Sequence, residues 1–190
     1  AHQSPFNLRN GMANGNFGVK PTEIRVIPGD VGGGFGMKSG VHIEEVFVTW
    51  AAKRLNRPVR WIADRTEGFL TDEQAREMHI SAELGLDKDG KFTALRLRWD
   101  CNLGAYNSGR SGWGVGNIGG IAGTYLIPAI AAECHGIMSH TVPTAAYRGA
   151  GRPEATYAIE RLIDVAAREL GVSPYELRRR NLIPPEAMPY

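Results

Sequence analysis

The sequence predicts an α+β fold: mixed strands with hairpins, two or three helices, and glycine-rich loops between them. Three observations carry that reading. Two alternating segments flank a turn between His79 and Cys101, the pattern of a β-hairpin. Two stretches of helical period lie on either side of it, over 41–55 and 153–170. Strands and helices do not alternate regularly, as a parallel βαβ sheet would require.

In chain order, Glu23–Ile27 reads as an apolar strand leading into a glycine-dense segment. A helix follows from Val41 to Leu55, with Ile43, Val46, Phe47, Trp50 and Ala51 spaced to share one face. Arg57-Pro58 breaks it, and Val59–Ile62 reads as a short strand. The polar stretch from Asp64 to Glu77 predicts a short helix near Thr71–Arg76. The hairpin then runs from His79 to Leu86, turns through Asp87-Lys-Asp-Gly90, and returns from Lys91 to Cys101. The region 104–123 is rich in glycine but also carries Tyr106, Trp113, Val115, Ile118 and Ile121, too apolar for a linker, and long loops of this kind are usually functional. A strand over 131–140 leads to a third glycine loop, Thr144–Pro153. Pro153 suits the first turn of the next helix. That helix would bury Tyr157, Ala158, Leu162, Val165, Ala166 and Leu170, and stop at Gly171. Ser173-Pro-Tyr-Glu176 has the spacing of a capping box opening a last short helix to Arg180.

The segment Ile27-Pro-Gly-Asp-Val-Gly-Gly-Gly-Phe-Gly-Met-Lys-Ser-Gly40 contains six glycines. Glycine loses more backbone entropy on ordering than any other residue. A dense run between strand and helix therefore suggests a place where backbone N–H groups approach an acceptor-rich ligand; the alternative is a tight loop packed on protein. A phosphate-binding P-loop would need glycine where Met37 precedes Lys38-Ser39. Gly114, Gly116 and Gly119 match a dinucleotide fingerprint by spacing alone, without its strand, helix or acidic residue. In the third loop, Arg148 and Arg152 stand among glycines at a helix entrance. Their planar forks suit phosphate or a heterocycle, although surface arginines often only pair with carboxylates.

The composition excludes several classes. A net charge of +2 over 190 residues, with Arg178-Arg-Arg180 the one basic run, does not suit nucleic acid or a membrane surface. No run of about eighteen apolar residues is present to span a bilayer, nor does the opening read as a secretory leader. Cys101 and Cys134 are too few for a disulfide framework or an iron–sulfur cluster and read as small buried hydrophobes. The five histidines show no metal-ligand spacing, and His42 before Glu44-Glu45 is not a zinc motif. No catalytic set emerges from spacing, and no metal ligands. A cytoplasmic location is the expectation. The start without methionine and the proline-rich exit over 184–190, after a domain portion over 1–183, suggest a piece of a longer polypeptide.

The loop Gly29–Lys38, the loop Ala146–Arg152, the segment Arg57–Arg60 and the ending Glu176–Leu182 together resemble the molybdopterin-binding large subunit of the xanthine dehydrogenase, aldehyde oxidase and carbon monoxide dehydrogenase family. They are most similar to the carbon monoxide dehydrogenase large-chain branch that lacks the copper-binding cysteine. The resemblance implies a molybdenum–pterin cofactor, molybdopterin or its cytosine dinucleotide, held by dithiolene sulfurs rather than by protein ligands. It implies cofactor-binding roles for Gln3, Gly34, Phe35, Gly36, Arg148 and Gly149. It implies oxidation of a small aldehyde or heterocycle with water-derived oxygen, with electrons passed to flavin and iron–sulfur subunits or domains. Three departures bear on the substrate: Gly149 replaces the copper-binding cysteine, Ser39 replaces a glutamate of xanthine-oxidising members, and Ala150 replaces a phenylalanine. The family's general-base glutamate and second set of pterin loops fall outside these residues, so the isolated chain is expected to be inert and to hold no cofactor tightly. At this point a non-catalytic module for a nucleotide or partner protein, and a P-loop phosphotransferase, remain alternatives.

Overall fold

The computed structural model describes residues 2, 4–108, 110–112 and 117–190. It divides into two compact units, Ala1–Gln74 and Ala75–Tyr190.

In the first unit, Ser4 caps α1 (Pro5–Asn10) by accepting the Asn7 N–H at 3.4 Å. A π-helical turn, Gly11–Phe17, continues it until Gly18 ends the run in the left-handed region. The predicted strand over 23–27 does not form. Pro21–Glu23 is a single tight turn, and Ile24 is extended but joins no sheet, its N–H donating back to the Pro21 carbonyl at 3.2 Å. A strand needs a neighbour for its backbone groups, and none exists among the described residues of this unit; Ile27 remains 72 % exposed. The same holds for 59–62, where Trp61 and Ile62 are exposed.

Helix α2 (Ile43–Leu55) starts where its cap chemistry dictates. The Glu45 carboxylate accepts the His42 N–H at 3.0 Å, and Asn56 stops the helix with φ 52°. The predicted apolar face is only partly used: Ala51 is buried, but Ile43, Phe47 and Trp50 are exposed, with the last two rings stacked 6.0 Å apart. The predicted helix over 71–76 lies earlier, as α3 (Arg65–Thr71), because Asp64 is the true cap and accepts the Glu67 N–H at 2.7 Å. With α1, α3 and the two helices of the second unit, five α-helices lie among the described residues.

The second unit contains the predicted hairpin. β1 (Met78–Leu86) and β2 (Phe92–Gly104) pair antiparallel. The turn is closed by the Asp87 carboxylate, which accepts the Asp89 and Lys91 N–H groups at 2.9 and 2.8 Å. β3 (Ile130–Met138) adds to the other side of β2, but parallel to it, giving the order β1-β2-β3. Strand direction was not legible in the pattern, because alternation is the same either way.

Helices α4 (Arg152–Leu170) and α5 (Pro174–Asn181) cover one face of this sheet. Leu95, Leu97, Trp99 and Cys101 of β2 meet Ala155, Ile159, Ile163 and Ala166 of α4 and Leu177 of α5. Each large side chain buried here contributes roughly 1.5–3 kcal/mol. The buried stripe of α4 is rotated from the predicted one: Tyr157 and Leu170 are exposed, and the small residues of the other stripe let the helix approach the strands. The predicted capping box of α5 also fails. Ser173 makes no side-chain cap bond. Glu176 instead accepts from Arg179 and Arg180 at 3.0 and 3.1 Å, which holds its carboxyl down near about 2. The basic run is spent within the fold, since Arg178 pairs with Glu160 at 2.7 Å and Asp164 at 2.8 Å.

Asn181 joins hairpin to helix. Buried, it accepts the Phe92 N–H at 2.8 Å and donates to the carbonyls of Gly90 and Leu177 at 2.9 and 2.8 Å. Cys101 and Cys134 lie on adjacent strands as free thiols, their sulfurs 3.8 Å apart. Burial, then the neighbouring Cys134, pushes Cys101 up to about 12, so it is an unreactive core residue.

Candidate functional site

The first glycine loop is an open turn. Residues 24–34 run without regular structure, and Phe35–Lys38 turn back toward α2. The Lys38 N–H reaches the Gly34 carbonyl at 3.4 Å, and the Ser39 hydroxyl donates to the Gly36 carbonyl at 2.7 Å. Gly33 has φ 109° and lies under the Phe35 ring: a Cβ there would sit 2.8 Å from that ring. Phe35 itself has φ 50° and stays half-exposed. Gly34 is buried and Gly36 half-buried. The loop exit is fixed by buried His2, whose Nε2 donates to the Gly40 carbonyl at 2.7 Å while Nδ1 accepts the Ser4 N–H at 2.9 Å. The expected role of Gln3 lies outside the described residues.

The strand–loop–helix cradle of the sequence reading is not what forms here. The upstream strand is absent, and the positive end of α2 is occupied by its own Glu44 and Glu45. Lys38 belongs to the turn and is separated from α2 by residues 39–42, whereas a P-loop lysine opens the helix itself. A groove of about 510 Å³ beside the loop is lined by Lys38, His42, Glu44, Glu45, Trp61 and Asp72. It is rich in carboxylate and unsuited to phosphate.

The third loop, in the second unit, is held on every side. Its foot is tied to the end of β2: the Thr144 hydroxyl donates to the Asn102 carbonyl at 2.6 Å, and the Thr144 N–H to that of Leu103 at 3.3 Å. Gly104 (φ 84°) allows the chain to pass so closely that a Cβ would lie 2.5 Å from the Pro143 backbone. The tip is a run of left-handed residues, Gly149, Ala150 and Gly151, at φ 102°, 49° and 95°. Ala150 N–H returns to the Tyr147 carbonyl at 2.8 Å, and Arg152 N–H and its guanidinium reach that of Gly149 at 3.2 and 3.3 Å. A Cβ on Gly149 would meet Pro153 at 2.6 Å, so this conformation has no room for cysteine there.

The sequence reading missed the residue that organises this loop. Arg76, just before β1, donates to the carbonyls of Tyr147, at 3.3 Å, and Arg148. Its Nε donates to Glu154 at 3.1 Å, and its guanidinium lies 4.7 Å from the centre of the Tyr147 ring. Nothing local in Gln74-Ala-Arg-Glu-Met marks it. The signal for its partner was there, since Glu154 follows Arg152-Pro153 in the first turn of α4, where carboxylates are favoured. Glu154 Oε2 is buried without a hydrogen-bond partner among the described residues, beside a cavity of about 20 Å³ lined by Cys101, Ser111, Thr144 and Tyr147. That volume suits one water molecule.

Among the described residues no group of His, Cys, Asp and Glu could hold a metal ion. No helix among them is long and apolar enough to cross a membrane. Of the middle glycine region, Trp113, Gly114, Val115 and Gly116 lie outside the described residues, and 117–120 form a single tight turn. The expected contact residues thus fall on two loops, Gly34, Phe35 and Gly36 in the first unit and Arg148 and Gly149 in the second.

Residues 1–182 match the family described as the molybdopterin cofactor-binding domain. The chain is 38% identical over 168 residues to the 6-hydroxypseudooxynicotine dehydrogenase complex subunit gamma of Paenarthrobacter nicotinovorans, covering 88% of this chain and 21% of that one. It is 34% identical over 177 residues to the carbon monoxide dehydrogenase large chain of Hydrogenophaga pseudoflava, covering 91% and 22%. The crystal structure of quinoline 2-oxidoreductase from Pseudomonas putida 86 superposes with a TM-score of 0.91 at 40% identity, covering 100% of this chain and 24% of that one. The chain spans about a fifth of the length of the curated relatives it matches. The match includes all three glycine loops, and the reading as a free-standing nucleotide or partner module gives way to it.

Proposed function

We propose, for a chain that belongs to the molybdopterin cofactor-binding domain family, that it forms part of the molybdenum–pterin site in the large subunit of a molybdenum hydroxylase. When bound, the cofactor supplies a two-electron acceptor and transfers water-derived oxygen to the substrate carbon. The residues present fit such a group. Its pterin and phosphate carry hydrogen-bond acceptors, and the 147–152 loop gathers two arginines on one turn held by Arg76.

Gly34, Phe35, Gly36, Arg148 and Gly149 bind and orient the cofactor in this reading, and so does Gln3. Phe35, half-exposed at φ 50°, presents an apolar ring that excludes water from the reacting face. The observation that carries the substrate choice is the clash at Gly149. With Pro153 only 2.6 Å from any Cβ, the loop offers no thiolate for copper, and oxidation of carbon monoxide through such a centre is not its task. The small residues Gly149 and Ala150 leave space for a ring. Relatives named for quinoline and 6-hydroxypseudooxynicotine favour a nitrogen heterocycle over a small aldehyde. The general base comes from elsewhere in the subunit, and flavin and iron–sulfur partners take the electrons.

The test is the full-length subunit purified in its complex. Molybdenum and pterin near one per subunit, no stoichiometric copper, and oxygen from isotopically labelled water in hydroxylated quinoline are expected. A complex without molybdenum, or with copper-dependent carbon monoxide oxidation, would reject the reading.

A further inference from the structure

The geometry points to Arg76 as the positioning residue of the cofactor loop, acting by setting the direction of its backbone amides. This rests on the reading of that loop as part of the pterin site. Across a trans peptide, C=O and N–H point in opposite directions, and the sole cis bond among the described residues is Met188–Pro189. Arg76 takes the carbonyls of Tyr147 and Arg148. The N–H groups of Arg148 and Gly149, which share those two peptide planes, therefore point to the side away from Arg76. Two successive amides aimed the same way form a small anion-binding concavity.

The contacts make this orientation specific rather than incidental. The guanidinium meets the carbonyls, Nε meets Glu154, and its central carbon lies over the Tyr147 ring. The Glu154 side chain is only 10% exposed, so the anchor sits in a poorly hydrated setting where charge-assisted bonds are strong. Arg76 itself is held at φ 63°, an unfavourable conformation for a long side chain, which persists only where surrounding contacts impose it. An ammonium could keep the pairing with Glu154 but has no planar fork to span the carboxylate and two carbonyls together.

The experiment compares Arg76→Ala and Arg76→Lys with wild type in the full-length subunit, in its complex. It reads the thermal midpoint, molybdenum per subunit, and pterin released and oxidised to its fluorescent product. Arg76→Lys is expected to keep the wild-type midpoint but to lose pterin occupancy by roughly tenfold, the usual scale for a lost supporting partner. Arg76→Ala is expected to lose at least as much. If the lysine variant restores midpoint and occupancy together, or if the alanine variant stays fully loaded, Arg76 does not position the loop. If neither variant folds, Arg76 is structural and the inference fails. A wild-type complex devoid of pterin would instead overturn the site reading on which this rests, and the inference with it.

Discussion

The two glycine loops look alike in sequence and are built in opposite ways. The 29–40 loop is held by its own short turn and by one histidine from outside it, with its glycines Gly29 and Gly32 in open space. The 144–153 loop is gripped by a strand end, a helix, and the guanidinium of Arg76, with Gly149 packed on Pro153. Glycine makes both conformations accessible, but it supplies no order. Order comes from side chains brought from elsewhere, and on the 144–153 loop several of them converge.

The largest effect should come from pairing one glycine of each loop. Gly149→Ala forces a Cβ into the Pro153 ring at φ 102°, at a cost of about 2–3 kcal/mol. Amide exchange over residues 144–155, read by mass spectrometry, should rise roughly thirty- to a hundred-and-fiftyfold. Gly32→Ala meets nothing within 4 Å and should change exchange in its own loop by no more than about 0.5 kcal/mol. Equal effects would erase the contrast.

A smaller effect sharpens the first loop's side. His2→Ala leaves the Gly40 carbonyl without its donor, at about 1–2 kcal/mol. Exchange over residues 35–42 should rise roughly five- to thirtyfold, with residues 144–155 unchanged. No rise would mean that the loop has a second anchor.

A last effect concerns the core of the second unit. Burial, followed by the hydrogen bond to Glu160 at 2.7 Å, raises the Tyr125 phenol from 10.0 to about 12. The folded state then holds a proton that the unfolded chain has lost. Stability is therefore complete below pH 10 and falls as pH rises from 10 to 12. Denaturant midpoints across that window should decline less steeply in Tyr125→Phe; an identical slope would show that Tyr125 does not contribute.

Much of the chain was legible locally. The hairpin was, because Asp87-Lys-Asp-Gly90 closes its own turn. So was α4, because Pro153 and Gly171 mark its ends. The short helix α3 was misplaced because Asp64-x-x-Glu67 was read as irregular polar sequence, although its cap was present. The strands expected over 23–27 and 59–62 failed because an apolar run becomes a strand only when another strand accepts its backbone groups. In the site, the glycine loops and Arg148 stood out as motifs, whereas Arg76 did not, since its partners are more than seventy residues away.

The sequence by itself determined the family, through the order of its glycine and arginine motifs, and the elements whose caps and turns lie within a few residues. It also determined that position 149 carries no copper ligand. Only the tertiary structure decided that β3 runs parallel to β2, which stripe of α4 is buried, and which side chain orients the third loop. Those are contacts between residues remote in the chain, and hydrophobic period or turn chemistry acts over a few residues at most. The folded arrangement brings Arg76, Tyr147 and Glu154 within hydrogen-bond and ring-contact distance, and there the direction of a backbone amide is set.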